Sequence, residues 1–284
     1  MKMNETTRGN QSKSSPLIGL DYQLVKLIRK EELNVVYEAR NNTLGHSVDL
    51  KFLSKKASAL QEDLFRFFRH WQQASYCDSQ RFIKLYDVGR TKNGLPYFVM
   101  EHFQGKLVSE LLSERGAMTP ESTARIGFEI ATALANVHEA DLSHRSLGPH
   151  CVSVLEVGGE IEMVKLYDVG FWLLRDELLG GREQLPHLDE IFGPLDYLPE
   201  GYFAENPPSF VAIDVYSLGM MLYEMLTGHR PFSGSTPVET AAAILKEDPE
   251  SFASTAPSVP PPLAGVVSKC LEKRQEDRFS SAHD

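Results

Sequence analysis

The first hundred residues contain short runs of apolar and β-branched side chains, and turn-forming residues separate these runs. Such runs predict β-strands. The five runs are Tyr22–Ile28, Val35–Ala39, Ser47–Phe52, Lys84–Val88 and Tyr97–Glu101. Between the third and fourth runs, residues 60–75 place apolar side chains at helical spacing, which predicts one amphipathic helix. The pattern therefore indicates a small antiparallel sheet that carries a single helix.

After about Gly105 the apolar spacing becomes mostly helical. Thr119 followed by Pro120 is a typical helix start, and apolar side chains then recur every three or four positions. Further helices are predicted at Val211–Leu226, Pro237–Leu245 and Pro262–Leu271, and two short apolar runs lie at Val152–Val157 and Met163–Tyr167. We therefore expect an α+β protein with a disordered lead-in over 1–19, a β-rich lobe over 20–104 and a mainly helical lobe over 105–284.

Composition narrows the class of protein. Of the 284 residues, 42% are hydrophobic and 24% are charged, as in globular proteins. The formal charge of −10 argues against nucleic acid or an anionic membrane as the main partner. Three distant cysteines favour a reducing compartment, and no uncharged apolar run approaches the roughly 20 residues that span a bilayer. We expect no membrane segment in this chain, and a cytoplasmic protein or the cytosolic domain of a longer one.

Several ordered motifs carry a family resemblance. They are SHRSLGPH at 143–150, YDVG at 167–170, YLPE at 197–200, DVYSLG at 214–219 and TGHRPF at 227–232. Over about residues 20–284 the chain resembles a eukaryotic-like Ser/Thr protein kinase domain of the bacterial type. The resemblance implies the two-lobed kinase fold, with an antiparallel sheet and one helix in the N-lobe and a mainly helical C-lobe. The last stretch resembles the approach to the family's final helix, so we expect that helix to be cut short and the natural protein to continue past Asp284.

The catalytic loop departs from the family pattern H-R-D-L-x-x-x-N. The resemblance places Ser146 where the family has the Asp that accepts the substrate proton, Gly148 where it has a lysine, and Cys151 where it has the Asn that holds Mg²⁺. A serine hydroxyl is a poor base, and a soft thiol is a poor ligand for a hard cation. Because phosphoryl transfer depends on these charges, we expect no catalytic residues here and no enzyme activity.

The nucleotide-binding positions are also altered. The segment 28–37 contains no glycine, and Arg29, Glu31 and Asn34 stand at the three glycine positions of the phosphate-covering loop. The strand lysine is retained as Lys51, while Asp49 replaces the alanine that normally contacts adenine.

Two residues of the family's nucleotide site remain. The resemblance leaves Lys51 and Asp168 as residual cofactor-binding positions, with Asp168 as a residual metal ligand. We expect Lys51 to pair either with Asp49, which lies on the same strand face, or with Asp168. The lysine's usual glutamate partner is replaced by His70, and the nearest upstream acid, Glu62, lies two helical turns away.

The positions that hold the fold are kept. The resemblance implies a buried ion pair between Glu200 and Arg278, hydrogen bonds from the catalytic-loop backbone to Asp214, and bracing of that loop by His144. From Phe171 to Pro208 there is no Ser or Thr, so the usual phosphorylation switch is absent.

These patterns predict a pseudokinase that acts as a protein-interaction scaffold or allosteric regulator in bacterial signalling, without a cofactor. The expected partner is an active Ser/Thr kinase, its substrate or a second copy of the chain. Two alternatives stay open: a sensor that binds ATP and Mg²⁺ weakly without transfer, and a kinase fold reused to transfer a nucleotidyl group.

Overall fold

The first part of the chain forms the predicted antiparallel sheet. The computed structural model describes residues 21–30, 34–54, 60–174, 195–200, 202 and 207–284. The strands are β1 (Tyr22–Lys30), β2 (Asn34–Asn41), β3 (Ser47–Leu53), β4 (Leu85–Arg90) and β5 (Pro96–Glu101). They are ordered β1-β2-β3-β5-β4, and every neighbouring pair is antiparallel. The disordered lead-in expected over 1–19 lies outside the described residues.

One helix, α1 (Gln61–Cys77), packs against this sheet as expected from its apolar spacing. Phe67 and Trp71 are completely buried, and the Phe67 ring meets the Phe98 ring of β5 edge to face at 5.3 Å. The Trp71 indole Nε1 donates to the Ile83 carbonyl at 3.0 Å, which satisfies its one polar atom in the core. The aromatic stripe of α1 is therefore core packing.

The rest of the described chain is mainly helical, with one small sheet. The helices are α2 (Val108–Arg115), α3 (Pro120–His138), α4 (Phe210–Thr227), α5 (Pro237–Lys246), α6 (Phe252–Thr255) and α7 (Pro261–Cys270). The strands β6 (Lys106–Leu107), β7 (Val152–Val157) and β8 (Glu160–Leu166) form the second sheet in that order. Thr119 and Ser209 cap α3 and α4 by accepting the backbone N–H three residues later, at 3.1 and 3.2 Å.

Backbone hydrogen bonds join the two lobes beside the site. The Leu166 N–H at the end of β8 donates to the Arg81 carbonyl at 2.7 Å, and the Ile83 N–H donates to the Leu166 carbonyl at 2.9 Å. Arg81 and Ile83 belong to the segment that follows α1. This contact fixes where the chain leaves β8, and so it places Tyr167 and Asp168 under the first sheet.

Helix α4 has the length and apolar composition of a membrane-spanning helix, although 78% of that stretch is buried inside the protein. It carries Asp214 and Ser217, which are both completely buried and hydrogen-bonded to neighbouring segments. It therefore has the features of the core helix of the second lobe.

Candidate functional site

A buried ion pair spans the cleft between the lobes. The Lys51 ammonium on β3 lies 2.6 and 2.5 Å from the two carboxylate oxygens of Asp168, and Lys51 is 1% exposed. Burial favours the neutral acid, but the charge and hydrogen bonds of Lys51 outweigh burial and lower the pKa of Asp168. Of the two expected partners of Lys51, the structure has Asp168.

Asp49 has a different partner, so the structure does not have the alternative in which Lys51 pairs with Asp49. The His102 Nδ1, on the segment that follows β5, donates to Asp49 Oδ1 at 2.7 Å. Asp49 and Lys51 are both buried on β3. The segment after β5 brings His102 within hydrogen-bond distance of Asp49. Burial raises the pKa of the Asp49 carboxyl, and the hydrogen bond from His102 opposes that rise.

Asp168 adopts an unusual backbone conformation that aims it at Lys51. Its φ of +60° lies in the left-handed region, which non-glycine residues rarely adopt. Gly170, two residues later, has a φ of +84°, and a Cβ there would lie 2.6 Å from the imidazole of His70. The close packing of α1 on this turn therefore requires glycine at position 170.

His70 connects α1 to the catalytic loop instead of pairing with Lys51. Its Nε2 donates to the Ser143 carbonyl at 2.8 Å. Burial lowers the pKa of His70, so its neutral form is favoured. Glu62 is exposed at the start of α1, in agreement with the expectation that the usual Lys–Glu clamp is absent.

The catalytic loop is braced by one completely buried carboxylate. Asp214 on α4 accepts the backbone N–H groups of His144 at 2.9 Å and Arg145 at 2.6 Å, and His138 Nε2 donates to it at 2.9 Å. Burial opposes its ionisation, but these donors lower the pKa of Asp214. The expected bond from the loop backbone to Asp214 is present.

His144 braces the same loop from the other side, as expected. Its Nε2 donates to the Tyr167 carbonyl at 2.9 Å, and the residue is completely buried. Burial is the main cause that lowers the pKa of His144. Asp214 and His144 together hold the loop against α4 and against the end of β8.

The three altered loop positions are all buried. Ser146 is 2% exposed and Cys151 is 0% exposed. The Cys151 thiol donates to the Gly148 carbonyl at 3.1 Å and accepts the Gly148 N–H at 3.3 Å, and burial strongly raises its pKa. A thiol held in this form closes the loop turn and is a poor nucleophile and metal ligand. At Gly148, a Cβ would lie 2.9 Å from the His150 ring.

Arg145 is held between two aromatic rings. Its guanidinium lies 4.3 Å from the ring centre of Trp172 and 5.5 Å from that of Phe210, and its Nε donates to Ser143 Oγ at 2.8 Å. These distances are within the range of cation–π attraction. The contact links the catalytic loop to the residues just after Asp168 and to the start of α4.

A second cation reaches the cleft from β1. The Arg29 guanidinium lies 5.1 Å from the ring centre of Tyr167, the residue before Asp168. Arg29 stands at a glycine position of the expected phosphate-covering loop, and its reach across the cleft was not predicted. The sequence did indicate that a cation could enter the cleft here, because it has a long cationic side chain at a position where the family has glycine. Asn34 is buried, and Glu31 lies outside the described residues.

The expected ion pair between Glu200 and Arg278 is wrong. Glu200 is exposed, and the Arg278 guanidinium donates to the carbonyls of Glu272, Lys273 and Ala212 at 2.7, 2.9 and 3.2 Å. These three carbonyls accept the hydrogen bonds of the buried guanidinium. Burial lowers the pKa of Arg278, and Glu200 opposes that change only as a nearby negative charge, without a direct ion pair. Arg278 still has a structural role, because it ties the end of the chain to α4.

The donor set around Asp168 does not fit Mg²⁺, which needs several oxygen ligands. Asp168 directs both oxygens at Lys51, and Cys151 offers a protonated thiol. Within the described part of the chain, no group of three or more His, Cys, Asp or Glu side chains is arranged to hold a metal ion. Lys51 and Asp168 therefore neutralise each other in this arrangement.

Comparison with known proteins identifies the family. A model described as the protein kinase domain matches residues 22–283. The chain is 28% identical over 269 residues to a probable serine/threonine-protein kinase of Clostridium perfringens, covering 94% of this chain and 38% of that protein. It is 28% identical over 264 residues to the serine/threonine-protein kinase PrkC of Bacillus subtilis, covering 93% and 39%. The chain thus spans about two fifths of the length of these relatives.

Solved structures agree with this assignment. The kinase domain of Mycobacterium tuberculosis PknI superposes with a TM-score of 0.68 at 20% identity, covering 94% of each chain. Rad53 in complex with AMP-PNP superposes with a TM-score of 0.72 at 21% identity, covering 93% of this chain and 63% of that one. These likenesses show the two-lobed fold. With the family model matched over almost the whole described chain, the protein belongs to the protein kinase domain family.

Proposed function

We propose that this kinase-fold domain is catalytically inactive and acts as a protein-interaction scaffold or allosteric regulator. The observation that carries the proposal is the catalytic loop, where Ser146 takes the place of the proton acceptor and is buried. Its hydroxyl is neutral near pH 7, and within the described residues no carboxylate replaces it at this position. The relatives named above are serine/threonine-protein kinases by name, and this loop is one of the places where the chain differs from the family pattern.

The surrounding charges support the same proposal. Catalysis of phosphoryl transfer relies on groups that stabilise developing charge, each worth on the order of 10³–10⁵ in rate for comparable groups. Lys51 and Asp168 neutralise each other, and Gly148 supplies no charge where the family has a lysine. The fold-holding contacts of Asp214 and His144 are intact, so the domain keeps a defined surface although Ser146 and Gly148 replace two groups that act on phosphate in the family.

A radioactive transfer assay tests inactivity. The purified chain is incubated with [γ-³²P]ATP, Mg²⁺ or Mn²⁺, and a basic protein substrate. We expect incorporation equal to that of the Lys51→Met variant purified in the same way, which reports contaminating kinases. Transfer by the wild-type chain that disappears in Lys51→Met would contradict the proposal.

The regulatory part of the proposal concerns a protein partner in the cytoplasm. The expected partner is an active Ser/Thr kinase, its substrate or a second copy of this chain. We expect stoichiometric addition of this domain to change the rate of an active Ser/Thr kinase from the same cell, with no ATP consumed by the domain itself. An unchanged rate, together with no measurable binding to the kinase, its substrate or itself, would contradict this part.

One observation favours a second candidate, a nucleotide sensor without transfer. Lys51 and Asp168 are the two residues that the family uses to reach the phosphates and the metal, and they face each other across the cleft. For ATP and Mg²⁺ to bind there, the ion pair would have to open. Binding measurements with and without Mg²⁺ distinguish this candidate from the scaffold.

A further inference from the structure

Arg29 lies on the cleft-facing side of the first sheet. In the register of the strands, Arg29 of β1 is opposite Val36 of β2, and Val36 is opposite Lys51 of β3. Residues opposite one another in an antiparallel sheet project from the same face, and both Val36 and Lys51 are 1% exposed. The register of β1 shifts between Leu27 and Arg29, and such a bulge re-aims the side chain beside it.

The Arg29 side chain crosses from one lobe to the other. Its guanidinium stacks at 5.1 Å on the ring of Tyr167, which is buried in the second lobe. Tyr167 directly precedes Asp168, so the contact lies beside the Lys51–Asp168 ion pair. Two cations from the first lobe therefore meet neighbouring residues of the second lobe.

Charged side chains of both signs lie in this part of the cleft. Asp49 is 4% exposed and accepts a hydrogen bond from His102 at 2.7 Å, and Arg29 is a nearby positive charge that favours its carboxylate form. Both carboxylate oxygens of Asp168 contact the Lys51 ammonium. Two side-chain cations thus face two side-chain carboxylates, with His102 at the outer edge next to Asp49.

We propose that Arg29, Asp49, Lys51 and Asp168 form an internal ionic plug that takes the place of a nucleotide and keeps the lobes closed without a ligand. The inference deepens the proposed function and rests on it, because a domain that transfers phosphate needs this cleft for ATP. It assigns Arg29 and Asp49 as the residues that exclude nucleotide. A protein partner would then bind a domain whose two lobes these ionic contacts already hold in one relative position.

The opposite reading, in which Arg29 and Lys51 bind phosphate, conflicts with the burial of the site. The Lys51 ammonium can reach a phosphate only if Asp168 moves away, since both carboxylate oxygens contact it. A triphosphate would also bring several negative charges next to the buried carboxylate of Asp168, and like charges at close range repel. The adenine of a nucleotide would meet the buried carboxylate of Asp49, which stands where the family has an alanine.

The test is a gain of nucleotide binding. The Arg29→Ala/Asp49→Ala variant removes one cation and one anion and opens the cleft while leaving Lys51 and Asp168 in place. We expect ATP to raise its melting temperature saturably, by about 3 °C or more at tenfold excess over the dissociation constant. The wild-type chain and the Lys30→Ala variant, which removes the neighbouring exposed cation, should show no shift.

A titration at 20 °C keeps the test decisive if the double variant melts early. Fluorescence polarisation of a labelled ATP analogue is measured on chains whose folding circular dichroism has verified. The Arg29→Gln/Asp49→Asn variant, which removes both charges but keeps polar side chains, is measured beside the alanine variant. Saturable binding by the variants alone supports the plug. Saturable binding by the wild-type chain overturns it, and so does the absence of binding in every folded variant. Neither of these failures affects the proposed inactivity, which only phosphate transfer by the wild-type chain would contradict.

Discussion

Two buried carboxylates in this molecule are satisfied in different ways. Asp214 accepts two backbone N–H groups of the catalytic loop and one imidazole, all within the second lobe. Asp168 is held by the ammonium of Lys51, which lies 117 residues away on the other lobe. The first carboxylate fixes the shape of a loop, and the second fixes the distance between two lobes.

The difference explains why the loop keeps its shape although its catalytic side chains have changed. Backbone N–H groups are present whatever the side chain, so Ser146 and Gly148 can replace other residues without disturbing the bonds to Asp214. A pair of side chains has no such tolerance, because the change of either partner leaves a buried charge alone. The loop brace and the interlobe pair should therefore respond differently to substitution.

The largest effect is expected at the loop brace. Asp214→Ala leaves two buried N–H groups and His138 without their acceptor, and should lower the free energy of unfolding by about 4 kcal/mol. Asp214→Asn retains one acceptor oxygen and should lose about half as much. Urea denaturation followed by circular dichroism measures both values. As a control, Asp277→Ala at an exposed carboxylate should change stability by less than about 0.5 kcal/mol.

Equal losses for Asp214→Ala and Asp277→Ala would break the comparison, because the buried carboxylate would then have no structural role. A loss in Asp214→Asn as large as in Asp214→Ala would indicate that charge, and not the acceptor, holds the loop.

A smaller effect is expected at the interlobe pair. Lys51→Met leaves Asp168 buried without its cation, which should lower the free energy of unfolding by about 3 kcal/mol near pH 7. Protonation of Asp168 limits the loss. The double variant Lys51→Met/Asp168→Leu removes both charges and should be more stable than Lys51→Met alone. A double-mutant cycle in urea measures the coupling between the two side chains.

Additive losses, with a coupling below about 0.5 kcal/mol, would mean that the two charges do not depend on each other in the folded protein. Such a result would remove the contrast between the pair and the loop brace.

The smallest effect on the free energy of unfolding is expected from a change of pH. It involves one histidine at the contact between the lobes and one at the loop brace. Burial lowers the pKa of His70, which bonds across the lobes, and of His144, which braces the loop. Below the usual histidine pKa of about 6.5, these two histidines bind protons in the unfolded chain but stay neutral in the folded chain. Stability should therefore fall as pH falls from 7.5 to 5.5, by at most about 1.4 kcal/mol per pH unit for each histidine.

The His70→Gln variant distinguishes the two histidines. Its amide can still donate to the Ser143 carbonyl, but it does not titrate, so the pH slope of the free energy of unfolding should fall by about half. An unchanged slope would assign the dependence to His144 and the loop alone. Guanidinium titrations at several pH values provide the measurement.

Much of the fold could be predicted because apolar periodicity decides where helices and strands lie. No run was predicted at β6. The other strands differ from the predicted runs by no more than about three residues at an end, and α1 and α4 by no more than two. The bracing of the loop by Asp214 and His144 was expected from the family resemblance and is present. These features depend on local pattern or on motifs that are intact in the sequence.

The missed contacts depend on geometry that a sequence does not carry. The sequence left open whether Lys51 pairs with Asp49 or with Asp168. In the structure His102, which follows β5, bonds to Asp49, and Lys51 pairs with Asp168. The reach of Arg29 accompanies a shift in the register of β1. The pairing of Arg278 with three carbonyls depends on the course of the backbone at 272–273, which no motif records.

The aromatic rings around Arg145 have a consequence for control of the molecule. A guanidinium commonly binds phosphate groups. The guanidinium of Arg145 instead contacts the rings of Trp172 and Phe210, which belong to the same chain. A Ser/Thr kinase acting on residues 171–208 would find no acceptor hydroxyl. The position of this loop is therefore not set by phosphorylation of a Ser or Thr in that stretch.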